Sequence, residues 1–273
     1  MPEAHKCDNE NSNFCDFLDW ALSFSPLANV QHHTVSFGEQ LKVHFMFISS
    51  ETHFSAELGE RELILWEDIW LQKKELVKAR IAALLGKTKK IYARNTNIIA
   101  LDKTHAASFL NENHLMGFAT AKYKVGLAYK GILVAVALFS SMKKYYRNGV
   151  LFHSAELVRF ANMKGIHVQG GLSKLLDYFI AERKPDDIMT YADKEWTVGN
   201  TYKKLGFKKV DVSPPIMFWV HPQQLNRLSW QEVEKLFAPK QPLTNKELEN
   251  YLLEKGYRQI FNQGNDKYLL LLK

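Results

Sequence analysis

The stretch VQGGLSK, residues 168–174, gathers residue types that suit an anion. Gly170 and Gly171 let backbone N–H groups come close to a ligand, and a helix starting there adds unpaired donors with a positive partial charge. Ser173 offers a hydroxyl and Lys174 a cation, which makes a seat for a phosphate or diphosphate; the competing reading is a tight turn that needs glycine. Neither the Gly-Lys-Ser/Thr ending of a Walker loop nor the G-x-G-x-x-G fingerprint is present. Farther on, Asp193, Lys194, Glu195 and Trp196 end a strand-like run, either as a charged surface turn or as the lip of an active site. Trp196 can stack on a base or plug the turn. Glu156 sits inside a strand-like segment, where alternation groups it with Val158 and Phe160 and sets Leu157 and Arg159 on the other face. A carboxylate there needs a partner or a raised pKa. His114, in NHLMG, can relay a proton, contact substrate or cap a helix. Lys143, Lys144 and Arg147 flank Tyr145 and Tyr146 in a basic loop, suited to phosphates and bases or simply solvated.

These residues need elements to hold them. DDIMTYAD (186–193) has the profile of a buried strand with Ile188, Met189 and Tyr191 as its core. Leu172, Leu175, Leu176, Phe179 and Ile180 form one apolar face of a helix that follows the glycines. Ahead of it, NTNIIALD is a short strand and HAASFLNEN a helix capped by Thr104. KYKVGLAY and ILVAVALFS make a hairpin around Lys130-Gly131, and HSAELVRFA is a third adjacent strand. VGNTYKKLGF is a short helix stopped by Gly206, followed by strands from Phe207 and over 216–220. The order is that of a mixed α/β domain with one dominant sheet. Upstream, strands at 41–49 and 62–66 precede a helix ending at Gly86, and a boundary falls near residue 88. Downstream, capping boxes at Ser229…Glu232 and Thr244…Glu247 start two short helices, and YRQIFNQGNDKYLLLL reads as a hairpin turning at Gly264-Asn265. The expected division is 1–88, 89–220 and 221–273.

The chain has 273 residues and 46% hydrophobic composition, enough for one large domain or a main domain with appendages. Its net charge of +7 favours polyanionic partners such as nucleic acid or acidic cofactors. Two cysteines, Cys7 and Cys15, lack metal-ligand spacing and form no disulfide framework, as expected of a reducing, cytoplasmic setting. The N-terminus has no signal-peptide pattern, and the longest apolar run, ILVAVALF, is too short to cross a bilayer.

The order of elements, with VQGGLSK and TYKKLGF in sequence, resembles the GNAT acyltransferase superfamily over roughly residues 95–220. The resemblance implies a mostly antiparallel mixed sheet flanked by helices, with acetyl-CoA or another acyl-CoA held at the glycine loop by Gly170, Gly171, Leu172, Ser173 and Lys174, and Arg159 binding or orienting phosphate. The family loop opens with Arg or Gln, and Val168 stands in that place here. Tyr202 takes the position of the family's acid. FLNENHLMG, ELVRFAN, VQGGLSKLL, TYADKEWTVGNTYKKLGF and GYRQIFNQGNDKY are similar to a GNAT-like module found beside phage homing-endonuclease domains and to Mom-type proteins, which modify adenine in DNA. That likeness implies Asp193 as base, with Glu156 as its rival, and DNA or another nucleic acid as partner. LILWEDIWLQKKELVKARI is similar to the closing strand and helix of a Vsr-like nuclease, implying a degenerate or docking region at 1–88. The rival function is a DNA-binding accessory module without catalysis; a small-molecule or protein acetyltransferase is a third.

Overall fold

A computed structural model describes residues 12–49, 58–147, 149–197, 201–237 and 244–273. The chain opens with α1 (Ser12–Phe24), β1 (Ala28–Gln31), β2 (Thr34–Phe37), β3 (Leu41–Met46), β4 (Glu62–Trp66) and α2 (Glu67–Leu84). It continues through β5 (Lys89–Tyr92), a 3-10 turn at Ala93–Asn95, β6 (Asn97–Ala100), α3 (Lys103–Asn113), β7 (Tyr123–Tyr129) and β8 (Ile132–Phe139). Next come β9 (Lys143–Arg147), β10 (Val150–Asn162), β11 (Ile166–Gln169), α4 (Gly171–Arg183) and β12 (Asp187–Asp193). The last part holds α5 (Thr201–Lys204), β13 (Lys208–Val212), β14 (Met217–Val220), β15 (Arg227–Leu228), α6 (Trp230–Phe237), α7 (Asn245–Glu254), β16 (Arg258–Phe261) and β17 (Asn265–Leu271). The protein is mixed α/β.

Contacts divide the chain into two interleaved units rather than three consecutive ones: 1–74 with 193–198 and 214–264, and 75–192 with 199–213 and 265–273. Composition along the chain hides this, because the joining contacts are long-range. In the first unit, Ile48, Ile64 and Trp66 share a core with Val220 and Ile260. There β1–β4 form one sheet, and β15-β14-β16 another that packs Trp219 against Val233, Leu248 and Leu252. α1 buries Phe14, Phe17, Leu18 and Ala21 at helical spacing.

The second unit is built on a sheet ordered β13-β17-β12-β10-β8-β7-β6, with β9 also paired to β10. All its pairings given in register are antiparallel except β10 with β12. One face packs against α4: Leu127, Ala135, Ala137, Phe139, Ala155, Leu157 and Ile188 meet Leu172, Leu175, Leu176 and Phe179. Phe139 and Phe179 stack at 4.0 Å, and burying each ring contributes about 1.5–3 kcal/mol. The other face packs against α3 through Val136, Leu138 and Ala161 with Ala106, Phe109 and Leu110.

Several expectations change. Asp102, not Thr104, caps α3, accepting from the backbone of His105. The basic loop is a strand, β9, in register with β10 from Lys143↔Ser154 to Arg147↔Val150. The terminal hairpin does not exist: β16 pairs with β14, while β17 joins the large sheet beside β12 and β13. In β12 the inward residues are Ile188, Thr190 and Ala192, and Tyr191 is exposed. Cys15 is disulfide-bonded, against the reading of both cysteines as reduced; Cys7 lies outside the described residues. No helix among the described residues is long and apolar enough to cross a membrane.

Candidate active site

The parallel pair at the centre of the second unit's sheet is short. β10 and β12 are in register only over Ser154↔Asp187, Ala155↔Ile188 and Glu156↔Met189. The pair is pinned at its start by a hydrogen bond between the buried Ser154 hydroxyl and the Asp187 carboxylate. Beyond Glu156 and Met189 both strands run on without backbone pairing to each other. Where pairing stops, the Thr190 hydroxyl donates to the Leu157 carbonyl at 2.9 Å. The Tyr202 phenol in turn interacts with the Thr190 side chain. Its ring lies 5.4 Å from Tyr268 and 5.7 Å from Phe207. Burial pushes the Tyr202 pKa up, against the opposing effect of Thr190, so the phenol keeps its proton at neutral pH. Thr190 was missed in the sequence reading; its signal was the alternation with Ile188 two residues before.

A bulge in β10 reorganises the faces. Leu157 is opposite Phe139 and Arg159 opposite Leu138, so Val158 is the extra residue. Ala155, Leu157 and Phe160 therefore meet the α4 side, while Val158 and Ala161 meet the α3 side. This corrects the strict alternation: Phe160 leaves the face of Glu156 and Val158, and Arg159 joins it. Glu156 and Arg159 interact electrostatically. Burial holds the Arg159 pKa below its usual value, with Glu156 opposing. Its Nη1 donates to the adjacent Val158 carbonyl, 2.8 Å away, and its buried Nε has no acceptor among the described residues. Glu156 is fixed by its backbone: its N–H donates to Ser140 Oγ and its carbonyl accepts from Ser140 N, both at 2.9 Å.

The glycine segment starts α4 as the sequence suggests. Gly170 has φ 76°, a left-handed conformation that favours glycine, and provides no side-chain cap. Among the described residues no side chain caps the first turn, the N–H groups of Gly171, Leu172 and Ser173. At Gly171 a Cβ would stand 3.0 Å from Val168 Cγ1, so a larger residue there would crowd the helix against the strand. Lys174 does not face an anion. Its ammonium donates to the Ala93 carbonyl at 2.9 Å and to the Thr96 carbonyl, which corrects its assignment to phosphate. Val168 is buried inward. Arg159 lies with the α3 face of the sheet and α4 with the other, so its reading as a diphosphate ligand loses its geometric basis.

The turn after β12 belongs to the first unit. Asp193 Oδ1 accepts from Glu195 N at 2.8 Å, and its carbonyl accepts from Thr197 N at 2.9 Å. Glu195 is not a solvent charge: it is 2% exposed and accepts from Trp66 Nε1 at 3.0 Å. Burial first, then Asp193, raises its pKa to about 8, so it is protonated at neutral pH. Beside it, Arg227 makes a two-point pair with Asp68, at 2.7 and 3.1 Å. Trp196 is buried at 8% exposure, so it plugs the turn rather than presenting a ring to a base. His114 takes the capping role: its N–H donates to Leu110 and its Nδ1 accepts from Met116 N at 3.1 Å. Lys143, Lys144 and Tyr145 are exposed on β9, while the side chain of Arg147 lies outside what is described.

No family model and no curated protein matches the sequence. Among solved structures, the chain is similar to a GNAT family acetyltransferase from Elizabethkingia anophelis with acetyl-CoA bound, at 12% identity over 65% of this chain and 99% of that one, with a TM-score of 0.33. It is similar to the ribosomal-protein-S18-alanine N-acetyltransferase from Escherichia coli, at 14% identity over 65% and 94%, with a TM-score of 0.36. A third is an acetyltransferase from Bacillus subtilis in complex with CoA, at 12% identity over 65% and 99%, with a TM-score of 0.35.

Proposed function

We propose that the chain is an acyl-CoA-dependent N-acyltransferase of GNAT type, acting on a nucleobase or another group of a nucleic acid. The observation that carries this is the parting of β10 and β12 beside an uncapped, glycine-led helix start. Two facing strand edges that stop pairing leave N–H and C=O groups for an extended ligand rich in amides. The N–H groups of Gly171, Leu172 and Ser173 suit its diphosphate. Bound acyl-CoA supplies an acyl group activated as a thioester. Glu156 or Asp193 takes the proton that the acceptor nitrogen loses as the new C–N bond forms. The Tyr202 hydroxyl returns a proton to the sulfur as the C–S bond breaks. Arg159, a half-buried cation with a donor to spare, holds the acceptor. The β9–β10 ribbon, with Lys143, Lys144 and Tyr145 outward, contacts phosphates and bases. Such a reaction belongs in the cytoplasm, where acyl-CoA is found.

The second reading is a DNA-binding module that has lost catalysis, with a degenerate nuclease-like or docking region at its N-terminus. It is favoured by Val168 in place of the family's Arg or Gln and by the engagement of Lys174 elsewhere. A thermal-shift titration with acetyl-CoA separates the two. The enzyme reading expects a rise in Tm that is lost in Ser173→Glu. That variant adds a charge against the diphosphate at a position where glutamate itself favours helix starts. No shift with any acyl-CoA, together with DNA binding that weakens steeply with salt, would establish the module instead. Mass spectrometry of nucleosides from DNA treated with protein and acetyl-CoA then tests the acceptor.

A further inference from the structure

The small parallel sheet of β5 and β11 has no part in the reaction just described. Its inner face carries Ile91 and Val168, which join the core against α4. Its outer face pairs Lys90 with His167 and Tyr92 with Gln169, all four exposed. Both strands end at the start of α4. Gln169 leads directly into Gly170, and Tyr92 into the turn Ala93–Asn95. That turn is fixed in place by the Lys174 bonds to the Ala93 and Thr96 carbonyls. The approach is close enough that a Cβ on Gly170 would stand 3.7 Å from the Ala93 Cβ. Arg94 leaves the turn exposed, with its guanidinium 5.1 Å from the centre of the Tyr92 ring. It has no ion pair among the described residues. The run from Lys87 to Arg94 contains four cations and no acid. Partial desolvation of the ring, then the charge of Lys90, holds the His167 pKa below its usual value.

We propose that the outer face of this sheet, centred on Arg94 and Tyr92, binds the nucleotide end of acyl-CoA, with Arg94 on the 3′-phosphate and Tyr92 against the adenine. The proposal rests on the acyl-CoA reading above and extends its site away from the reacting end. An aromatic ring offers a face to any base. A guanidinium already stacked on that ring loses less freedom when it forks onto a phosphate. Continuity of the chain from Gln169 into the α4 start puts this platform next to the donors assigned to the diphosphate.

The test is calorimetric titration of the full chain with CoA and with 3′-dephospho-CoA. The unmodified protein should prefer CoA by about tenfold or more, the worth of a charge-assisted contact. Arg94→Gln should bind both alike, at the affinity the unmodified protein has for 3′-dephospho-CoA, which also shows that the variant is folded. Tyr92→Ala should weaken both by about the same factor, roughly tenfold. By NMR, CoA should raise the His167 pKa more than 3′-dephospho-CoA does. If CoA binds but the preference is absent, or survives in Arg94→Gln, the nucleotide subsite is wrong and the acyl-CoA reading stands. If neither compound binds the unmodified protein, the acyl-CoA reading falls and the subsite with it.

Discussion

Two groups of desolvated polar side chains, one in each unit, are built on opposite terms. In the first unit, Asp68 and Arg227 are joined at two points, Trp66 donates to Glu195, and Glu195 avoids a second buried negative charge by keeping its proton. Arg227 also lies 6.0 Å from the Trp66 ring and 5.8 Å from Phe218. In the second unit, Arg159 has a buried Nε without an acceptor among the described residues and donates to its own neighbour's carbonyl. Folding alone accounts for a network whose members satisfy one another. Arg159 differs: Glu156 opposes the desolvation of its charge, but its Nε has no acceptor among the described residues, whereas buried donors in native proteins nearly always find one. The contrast sets a charge cluster closed by its own hydrogen bonds against one that is not.

The largest effect tests the structural side. Asp68→Ala should leave Arg227 buried without its counter-ion and cost about 3–5 kcal/mol in urea denaturation. A loss below about 1 kcal/mol would mean that water already screens the pair. On the other side, Tyr202→Phe should lower turnover about a hundredfold or more, read as free thiol released from acetyl-CoA with DNA as acceptor. Its acetyl-CoA affinity should hold, since the ring keeps its contacts with Tyr268 and Phe207. An affinity loss as large as the rate loss would reduce Tyr202 to a packing residue.

Glu195 gives the structural cluster a pH signature. Its folded pKa of about 8 lies above the ordinary 4.5, so the folded state holds a proton that the unfolded state has released. Its contribution to stability is therefore fully present below about pH 4.5 and is lost as pH rises toward about 8. Glu195→Gln keeps an acceptor for Trp66 and cannot ionise, so this slope should vanish in the variant. A variant whose Tm falls over this window as steeply as the parent's would place the titration elsewhere.

Local signals were the legible ones. The β7–β8 hairpin around Lys130-Gly131, the apolar face of α4 and the Thr244 capping box follow from patterns within a dozen residues, and the structure has all three. What was illegible depended on distant partners. Glu195 reads as a solvent charge until Trp66 is seen beside it, and nothing near residue 195 announces that tryptophan. Gly264-Asn265 is a good hairpin turn by type, yet β16 and β17 separate because β14 and β12 offer each a better neighbour. At the candidate site, the glycines and Tyr202 were visible as residue types. The bulge at Val158 was not, and it alone decides that Arg159 lies with Glu156. A bulge inserts one residue without any change of composition, so strict alternation gave the wrong face.

The smallest stability effect is the most discriminating. Arg159→Met keeps much of the side chain's length and removes a charge that burial disfavours together with a donor that has no acceptor. If Arg159 has no structural partner, unfolding free energy should stay the same or rise by up to about 1 kcal/mol. That is the opposite sign from Asp68→Ala, although both substitutions remove one charge from a desolvated group. Acyl transfer to DNA should fall in the same variant, while the thermal shift with acetyl-CoA persists, because Arg159 lies on the face away from α4. A destabilisation of about 2 kcal/mol or more would show that Arg159 is held in the fold as Arg227 is. The second cluster would then be structural like the first, and its assignment to the acceptor would fail.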